Sequence, residues 1–432
     1  MSPRDAAAAP ARRDTGRWSV AEWPPAALGS RVVGCSSRPR LRRAAVGLGA
    51  LVVATGCAPT RSGGGEAAPP PALGSGVLRP AQIQAILQRS ERVYRVRMSV
   101  RVPPRPLDEL VMGPVGGAAP RLDPFLEVTR SGERPVLRSH LPEDEIEPLF
   151  EAASRAFADR DYLRARALYE EAVRQAPEYF KAYTYLGNAL FFLGRYVEAE
   201  VAFRKALDLN PQDYQAHLFL GDTLHQLGHF QESKEALTWA FMLNRGNAVV
   251  EERLRTTLAK LQLSLRGSRL APAVRLERST DETVIHLDAD EGRKWYALAA
   301  CVACWKEEDT CRERSPDARD PLRLGMYREC LLNHVADLTH REARGEELAQ
   351  HDRVLRAAVE DGFLDAIVFW EAVAPRAPAV MLLLSDELRA DVVRYIERYV
   401  FVSTRLADAG APPRREVAVV DNLRPADRIC RP

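Results

Sequence analysis

The residues with the most chemical potential in this 432-residue chain are cysteines. Cys301, Cys304 and Cys311 share one stretch that reads as helix, and Cys330 lies in the next. At about 100° per residue the first three fall within roughly 80° of one another, a stripe on one helical face. Three chemistries compete for that stripe. If the two helices fold back antiparallel, one of Cys301, Cys304 or Cys311 reaches Cys330 as a disulfide, which an oxidising compartment favours. The cysteines can instead serve as small apolar core residues. They can also join His334 in a metal site, although four ligands at this spacing are irregular. A redox Cys-x-x-Cys is disfavoured because Cys301-Val-Ala-Cys304 lies within an apolar helix rather than after a strand. Haem attachment is argued against by Trp305, which stands where histidine is required. We assign no metal and no cofactor from the sequence.

The remaining polar residues point away from catalysis. His225 and His229 are four apart, but Gly228 separates them into different elements. No Ser/His/Asp grouping, glycine-rich phosphate loop or His-Glu-x-x-His motif occurs. Asp288 and Asp290 precede a helix and read as N-cap residues; Glu307, Glu308 and Asp309 read as a solvated face. With 61 basic and 59 acidic residues and a net charge of +2, there is no electrostatic case for nucleic acid.

The elements that would position a binding surface lie in residues 146–265. Tyr183, Leu186, Gly187, Gly194, Tyr196, Ala199, Phe203, Ala206 and Pro211 form one series. His217, Leu220, Gly221, Gly228, Phe230, Ser233, Leu237 and Ala240 form another, each 34 residues after its counterpart. Ala153, Tyr162, Ala165, Tyr169, Ala172 and Pro177 make an earlier, weaker copy, and the third copy has Arg245 where the others have proline. The period predicts two short amphipathic helices per repeat, with glycine and alanine where helices approach closely and large side chains between them. One such pair cannot bury its apolar face alone, so about three must stack. Residues 247–265 read as a polar-faced capping helix.

This segment resembles the tetratricopeptide-repeat family, a helix–turn–helix solenoid that recognises proteins. The resemblance implies a concave groove lined by set positions of the first helix of each repeat. On this chain these are Phe150, Ser154 and Phe157; Lys181, Thr184, Asn188 and Phe191; and Gln215, Leu218, Asp222 and His225. Aromatics with a few polar groups suit an extended peptide or a helix. The basic clamp that some members use for a C-terminal carboxylate is absent, because Phe150 and Gln215 stand where lysines are needed. The competing expectation is that these aromatics pack against the chain's own N-terminal segment, since apolar patches usually find cover.

Arg38, Arg40, Arg42 and Arg43 precede an apolar run, Ala44 to Ala54, which is too short to span a bilayer and has the length of a signal-peptide core. It ends in Ala54-Thr55-Gly56-Cys57, which resembles the lipobox of bacterial lipoproteins. That resemblance implies lipidation at Cys57, removal of residues 1–56 so that this cysteine becomes the mature N-terminus, and, with Ala58 next, outer-membrane sorting. The 37 residues before the basic patch exceed an ordinary leader and point to a translation start inside the chain.

The expected organisation is mainly α: an N-terminal extension and signal (1–57), a flexible tether (58–80), a small mixed or partly disordered region (81–142), the repeat domain (146–265), a separate helical domain with a β-hairpin (273–403) and a tail (404–432). Within 81–142 the patterns predict a helix at 79–92, a strand from Tyr94, a loop over 102–122 and a hairpin over 125–138. The expected function is a lipid-anchored periplasmic scaffold that binds protein partners in the cell envelope, in a setting such as assembly of a surface structure. The alternative is an enzyme or metal-binding protein with its site in the cysteine-containing C-terminal domain, the repeats recruiting substrate.

Overall fold

The computed structural model of the protein describes residues 77–99, 101–113, 122–131, 134–266, 270–313 and 322–404. The described part opens with α1 (Pro80–Arg89), β1 (Val93–Ser99), α2 (Leu107–Met112) and the hairpin β2 (Leu126–Ser131) and β3 (Arg134–Ser139). The repeats follow as helix pairs: α3 (Glu147–Ala158) with α4 (Tyr162–Gln175), α5 (Phe180–Phe192) with α6 (Tyr196–Leu209), and α7 (Tyr214–Gln226) with α8 (Phe230–Leu243), then α9 (Ala248–Lys260). After them come β4 (Leu263–Leu265), β5 (Val274–Arg278), β6 (Glu282–Asp288), a 3-10 turn (Gly292–Trp295), α10 (Tyr296–Glu307), α11 (Asp309–Arg312), α12 (Leu324–Ala343) and α13 (Gln350–Glu360). The last elements are α14 (Leu364–Ile367), running into a π-turn (Val368–Val373), α15 (Val380–Leu383), α16 (Asp386–Tyr395), a second π-turn (Ile396–Val400) and β7 (Phe401–Ser403). The fold is mainly α.

The repeat geometry follows from its small residues and caps. A Cβ at Gly187 would lie 2.6 Å from the Phe203 ring, so only glycine lets α5 approach α6 this closely. Gly194 turns α5 into α6 with φ +74° and Gly228 turns α7 into α8 with φ +79°, a left-handed conformation that costs glycine nothing. Asp161, Asp213 and Asn247 cap α4, α7 and α9 by accepting backbone N–H groups in the first turn. Pro177 and Pro211 stand in the connections between pairs.

The domain boundaries differ from the sequence reading. β1, ahead of the repeats, pairs in parallel with β6, beyond them, from Val93 opposite Glu282 to Ser99 opposite Asp288; β6 pairs antiparallel with β5. Residues 81–142 and 273–403 are therefore one lobe rather than two units, and the repeats are an insertion between its strands. Side chains tie it further: Asn333 donates to the Leu78 carbonyl at 2.8 Å, Lys306 to the Leu110 carbonyl at 2.7 Å, and Arg376 pairs with Asp108 at 2.8 Å. One continuous core runs from Ile83 and Leu107 through Leu237 and Met242 of the third repeat to Trp370 and Ile396, while the first repeat keeps its own cluster around Phe150 and Tyr169.

Three local expectations are also revised. The stretch 102–122 holds α2, because Leu107, Leu110 and Val111 present an i, i+3, i+4 buried face behind Pro106. The capping helix ends at Lys260, and β4 beyond it pairs antiparallel with β7, Leu263 opposite Ser403. The helix expected over 295–313 divides into the 3-10 turn, α10 and α11. Cys57 and the leader, the expected tether as far as residue 76, Cys430 and the tail beyond residue 404 lie outside the described residues; the last residues of the expected tether, 77–80, instead lead into α1, and the Leu78 carbonyl accepts from Asn333. Among the described residues no helix is long and apolar enough to cross a membrane.

Candidate functional site

α5 places Lys181, Thr184 and Asn188 on one face, and α7 places Gln215, Leu218 and Asp222 beside them. The centre of this face is closed. Lys181 is fully buried and its ammonium donates to Asp213 Oδ1 at 2.8 Å and Gln215 Oε1 at 3.0 Å. Thr184 donates to Asp213 Oδ2 at 2.8 Å, and the Gln215 N–H donates to Oδ1 at 3.1 Å. Burial lowers the Lys181 pKa while Asp213 opposes the shift. Asn188 is 1% exposed and neither polar atom of its amide has a partner.

The cover is the chain itself. The Phe125 ring centroid lies 5.8 Å from the Lys181 ammonium, Asn210 donates to the Leu126 carbonyl at 3.2 Å, and the His140 ring sits edge-on to Tyr179 at 5.1 Å. These contacts dock the β2–β3 hairpin where α5 begins. Phe150, Lys181, Thr184, Asn188, Gln215 and Leu218 are all buried, which corrects the expectation that they line an open groove. The apolar and polar groups of the face find their complement within the chain, as exposed patches usually do. Phe150 turns inward altogether, edge-on to Tyr169, Tyr179 and Tyr185 at 5.3–5.5 Å.

Ser154, Phe157, Phe191, Asp222 and His225 remain partly exposed. Phe157 and Phe191 belong to an aromatic ridge with Tyr162, Phe192 and Tyr196 along the turn edge of the stack. Asp222 faces Arg253 of α9 at 3.4 Å, and burial raises its carboxyl against the pull of that arginine. His225 hydrogen-bonds Thr257 at 2.8 Å and packs edge-on to Phe230, and burial lowers its pKa. The helix after the third repeat thus engages that repeat's groove residues directly.

The cysteine stripe forms two disulfides. Cys301 joins Cys330, stapling α10 to α12, and Cys304 joins Cys311, holding α11 against the end of α10. The second bridge was outside the sequence expectation, because one long helix over 295–313 would have kept the pair apart; Glu308 breaks it. With all four sulfurs engaged, the thiolates that a metal would need are not available. His334 is fully buried and stacks on Trp295 at 4.6 Å between centroids.

Against known proteins, residues 180–213 and 214–247 each match the tetratricopeptide repeat family. No curated protein sequence matches the chain. Solved structures similar to it include the first TPR of Spaghetti (RPAP3) bound to an HSP90 peptide (22% identity, 28% of this chain and 97% of that one, TM-score 0.27). Others are the Sgt2 TPR domain from Aspergillus fumigatus (24%, 28% and 81%, TM-score 0.27) and the Yersinia enterocolitica type III secretion chaperone SycD with a peptide of the translocator YopD (16%, 28% and 97%, TM-score 0.26).

Proposed function

From the tetratricopeptide repeats that this chain carries, we propose that it is a protein-interaction scaffold which holds an extended or helical segment of a partner along the open part of its concave face. The observation that carries this reading is the division of that face. The half beside the β2–β3 hairpin is filled from within and Asp222 and His225 are engaged by α9, whereas Ser154, Phe157 and Phe191 stay partly exposed, aromatics beside a polar group. A partner ending in a free carboxylate is not expected, because Lys181 is neutralised by Asp213.

The scaffold is further proposed to be lipid-anchored through Cys57 and to face the periplasm, in a setting such as assembly of a surface structure, the last by analogy of fold alone. Two buried disulfides support an oxidising compartment. The test is a pull-down from membranes with the anchored protein as bait, beside a Phe157→Ala/Phe191→Ala variant. A partner retained by wild type and lost from the variant is expected; identical captures from both overturn the site. Detergent partitioning of wild type against Cys57→Ser tests the anchor: equal partitioning sinks it.

A further inference from the structure

The three-stranded sheet of the lobe runs in the order β1, β6, β5, so β1 is an edge strand. Val93 donates to the Asp281 carbonyl at 2.9 Å and the Ser99 carbonyl accepts from Ala289 at 3.0 Å, so the odd-numbered residues of β1 turn their peptide groups toward β6. Those of Tyr94, Val96 and Met98 then point outward, because the direction alternates along a strand. Among the described residues they meet no backbone partner on that side.

The side chains of the same three residues belong to the inner face of the sheet. Val96 stands beside Ile285 and Met98 beside Leu287 in the parallel register. Ile285 and Leu287 are each 1% exposed and Val274 of β5 is buried beyond them, whereas Val96 is 50% and Met98 44% exposed. The apolar face is thus covered across β6 and β5 and bare at β1. Natural edges are commonly shortened, bulged, or closed by a proline or an inward charge. β1 runs for seven residues with none of these devices.

The outer face carries charge. Arg95 and Arg97 are both exposed. Arg95 pairs with Glu282 at 2.8 Å, while Arg97 has no ion pair among the described residues. The other acids of that face are engaged: Glu277 by Arg275 at 3.4 Å and His286 at 2.9 Å, and Asp288 by the N–H groups of Val102, Asp290 and Glu291. Glu91 and Asp281 stand at the start of β1, away from Arg97.

We propose that β1 is a docking edge for an acidic extended segment of a partner protein, which adds to the sheet as a fourth strand. Its backbone pairs with Tyr94, Val96 and Met98, apolar side chains at alternate positions cover Val96 and Met98, and carboxylates between them face Arg95 and Arg97. A second copy laid antiparallel along the whole of β1 would set Arg95 opposite Arg97 twice, and like charges directly opposite are destabilising. The edge belongs to the lobe and not to the repeats, so it is a docking site separate from the groove proposed above.

The test is fluorescence anisotropy of a labelled, capped Glu-Val-Glu-Val-Glu-Val-Glu peptide titrated with the full chain. Saturable binding is expected. The lysine counterpart, and a peptide of the same composition with its valines in one block, are expected not to bind, because neither offers carboxylates and a one-sided apolar row together. Arg97→Glu is expected to weaken the glutamate peptide about fivefold or more and to admit the lysine peptide. Val96→Pro removes an outward N–H and spares the bonds to β6, which come from its neighbours, so it is expected to abolish binding. Arg97→Glu keeps the test open if Val96→Pro fails to fold. No saturation with wild type, equal binding of the lysine or block peptide, binding that survives Val96→Pro, or binding seen only after removal of residues 405–432, which would make the chain's own tail the occupant, each overturn the proposal.

Discussion

Lys181→Met is the most informative perturbation of the repeat stack. Lys181 and Asp213 side chains are both 0% exposed and 2.8 Å apart. Removing the ammonium leaves the Asp213 carboxylate buried with Thr184 and the Gln215 N–H as neutral donors. Deleting one partner of a buried pair costs about 3–5 kcal/mol, because an uncompensated charge stays inside. The pair itself is worth less than that, since replacing both ions removes the uncompensated charge as well. Lys181→Met/Asp213→Asn should therefore recover more than half of the loss, Asn still capping α7. Urea unfolding of wild type, both single variants and the double variant gives the coupling energy as a double-mutant cycle, expected at about 2 kcal/mol or more. Raising salt from about 0.1 M to about 1 M should leave it unchanged, because screening acts through solvent that this pair does not touch. A Lys181→Met protein within about 0.5 kcal/mol of wild type would refute the reasoning; that is the range of ordinary surface substitutions, and Lys181 would then have to reach water.

Other outcomes follow from the same packing. Gly187→Ala should cost about 1–3 kcal/mol by overpacking, since its Cβ would stand 2.6–2.8 Å from three atoms of the Phe203 ring; an unchanged melting curve would displace α5 from its register. Cys301→Ala/Cys330→Ala should lose about 3–4 kcal/mol and Cys304→Ala/Cys311→Ala about 2–3 in the chain-entropy model, because the bridges span 29 and 7 residues; the reverse ranking in urea would contradict this. Burial pushes His334 down to about 4, with Asp352 opposing, whereas an unfolded histidine titrates near 6.5. The unfolded state therefore binds more protons between those values, and stability present above pH ~6.5 should fall by roughly 3 kcal/mol as pH drops to ~4. His334→Phe should flatten that slope, and an equally steep variant would place the titration elsewhere.

The repeats were legible because their constraints are local and periodic. Gly187, Gly194 and Phe203 recur at 34 residues with Gly221, Gly228 and Leu237 for reasons internal to one helix pair. The β1–β6 pairing was not legible: each strand shows its alternation, but nothing in either names a partner nearly 190 residues away. α2 was hidden for a different reason. Its six residues hold too few turns for a period to stand out among the prolines and glycines around it. For the groove, the positions were right as addresses on the helices and misleading as surfaces, because burial depends on what the rest of the chain lays over them. Phe125 gives no sign in sequence that it will cover Lys181.

The departures from the repeat pattern carry as much information as the matches. Arg245 stands where the first two repeats have Pro177 and Pro211. A proline there would end α8 and open another repeat; arginine instead reaches sideways into the lobe. Its guanidinium lies 4.2 Å from the Trp370 ring centroid, donates to the Trp370 carbonyl, and pairs with Glu371 at 3.0 Å. Glu371 is 7% exposed, so without that cation a carboxylate would be buried unpaired in the lobe. The substitution thus marks the place where the stack stops being repetitive: beyond α9, its final interface is made with α15, α16 and the first π-turn rather than with a fourth helix pair. Among the described residues, α3 and α4 pack only within the stack and against the segment before them, while the other end of the stack is joined to the lobe. The third repeat is accordingly part of two structures, the solenoid through Leu220 and Leu224 and the lobe through Leu237, Phe241 and Met242. Arg245 is thus the direct link between Glu371 of the lobe and the end of α8.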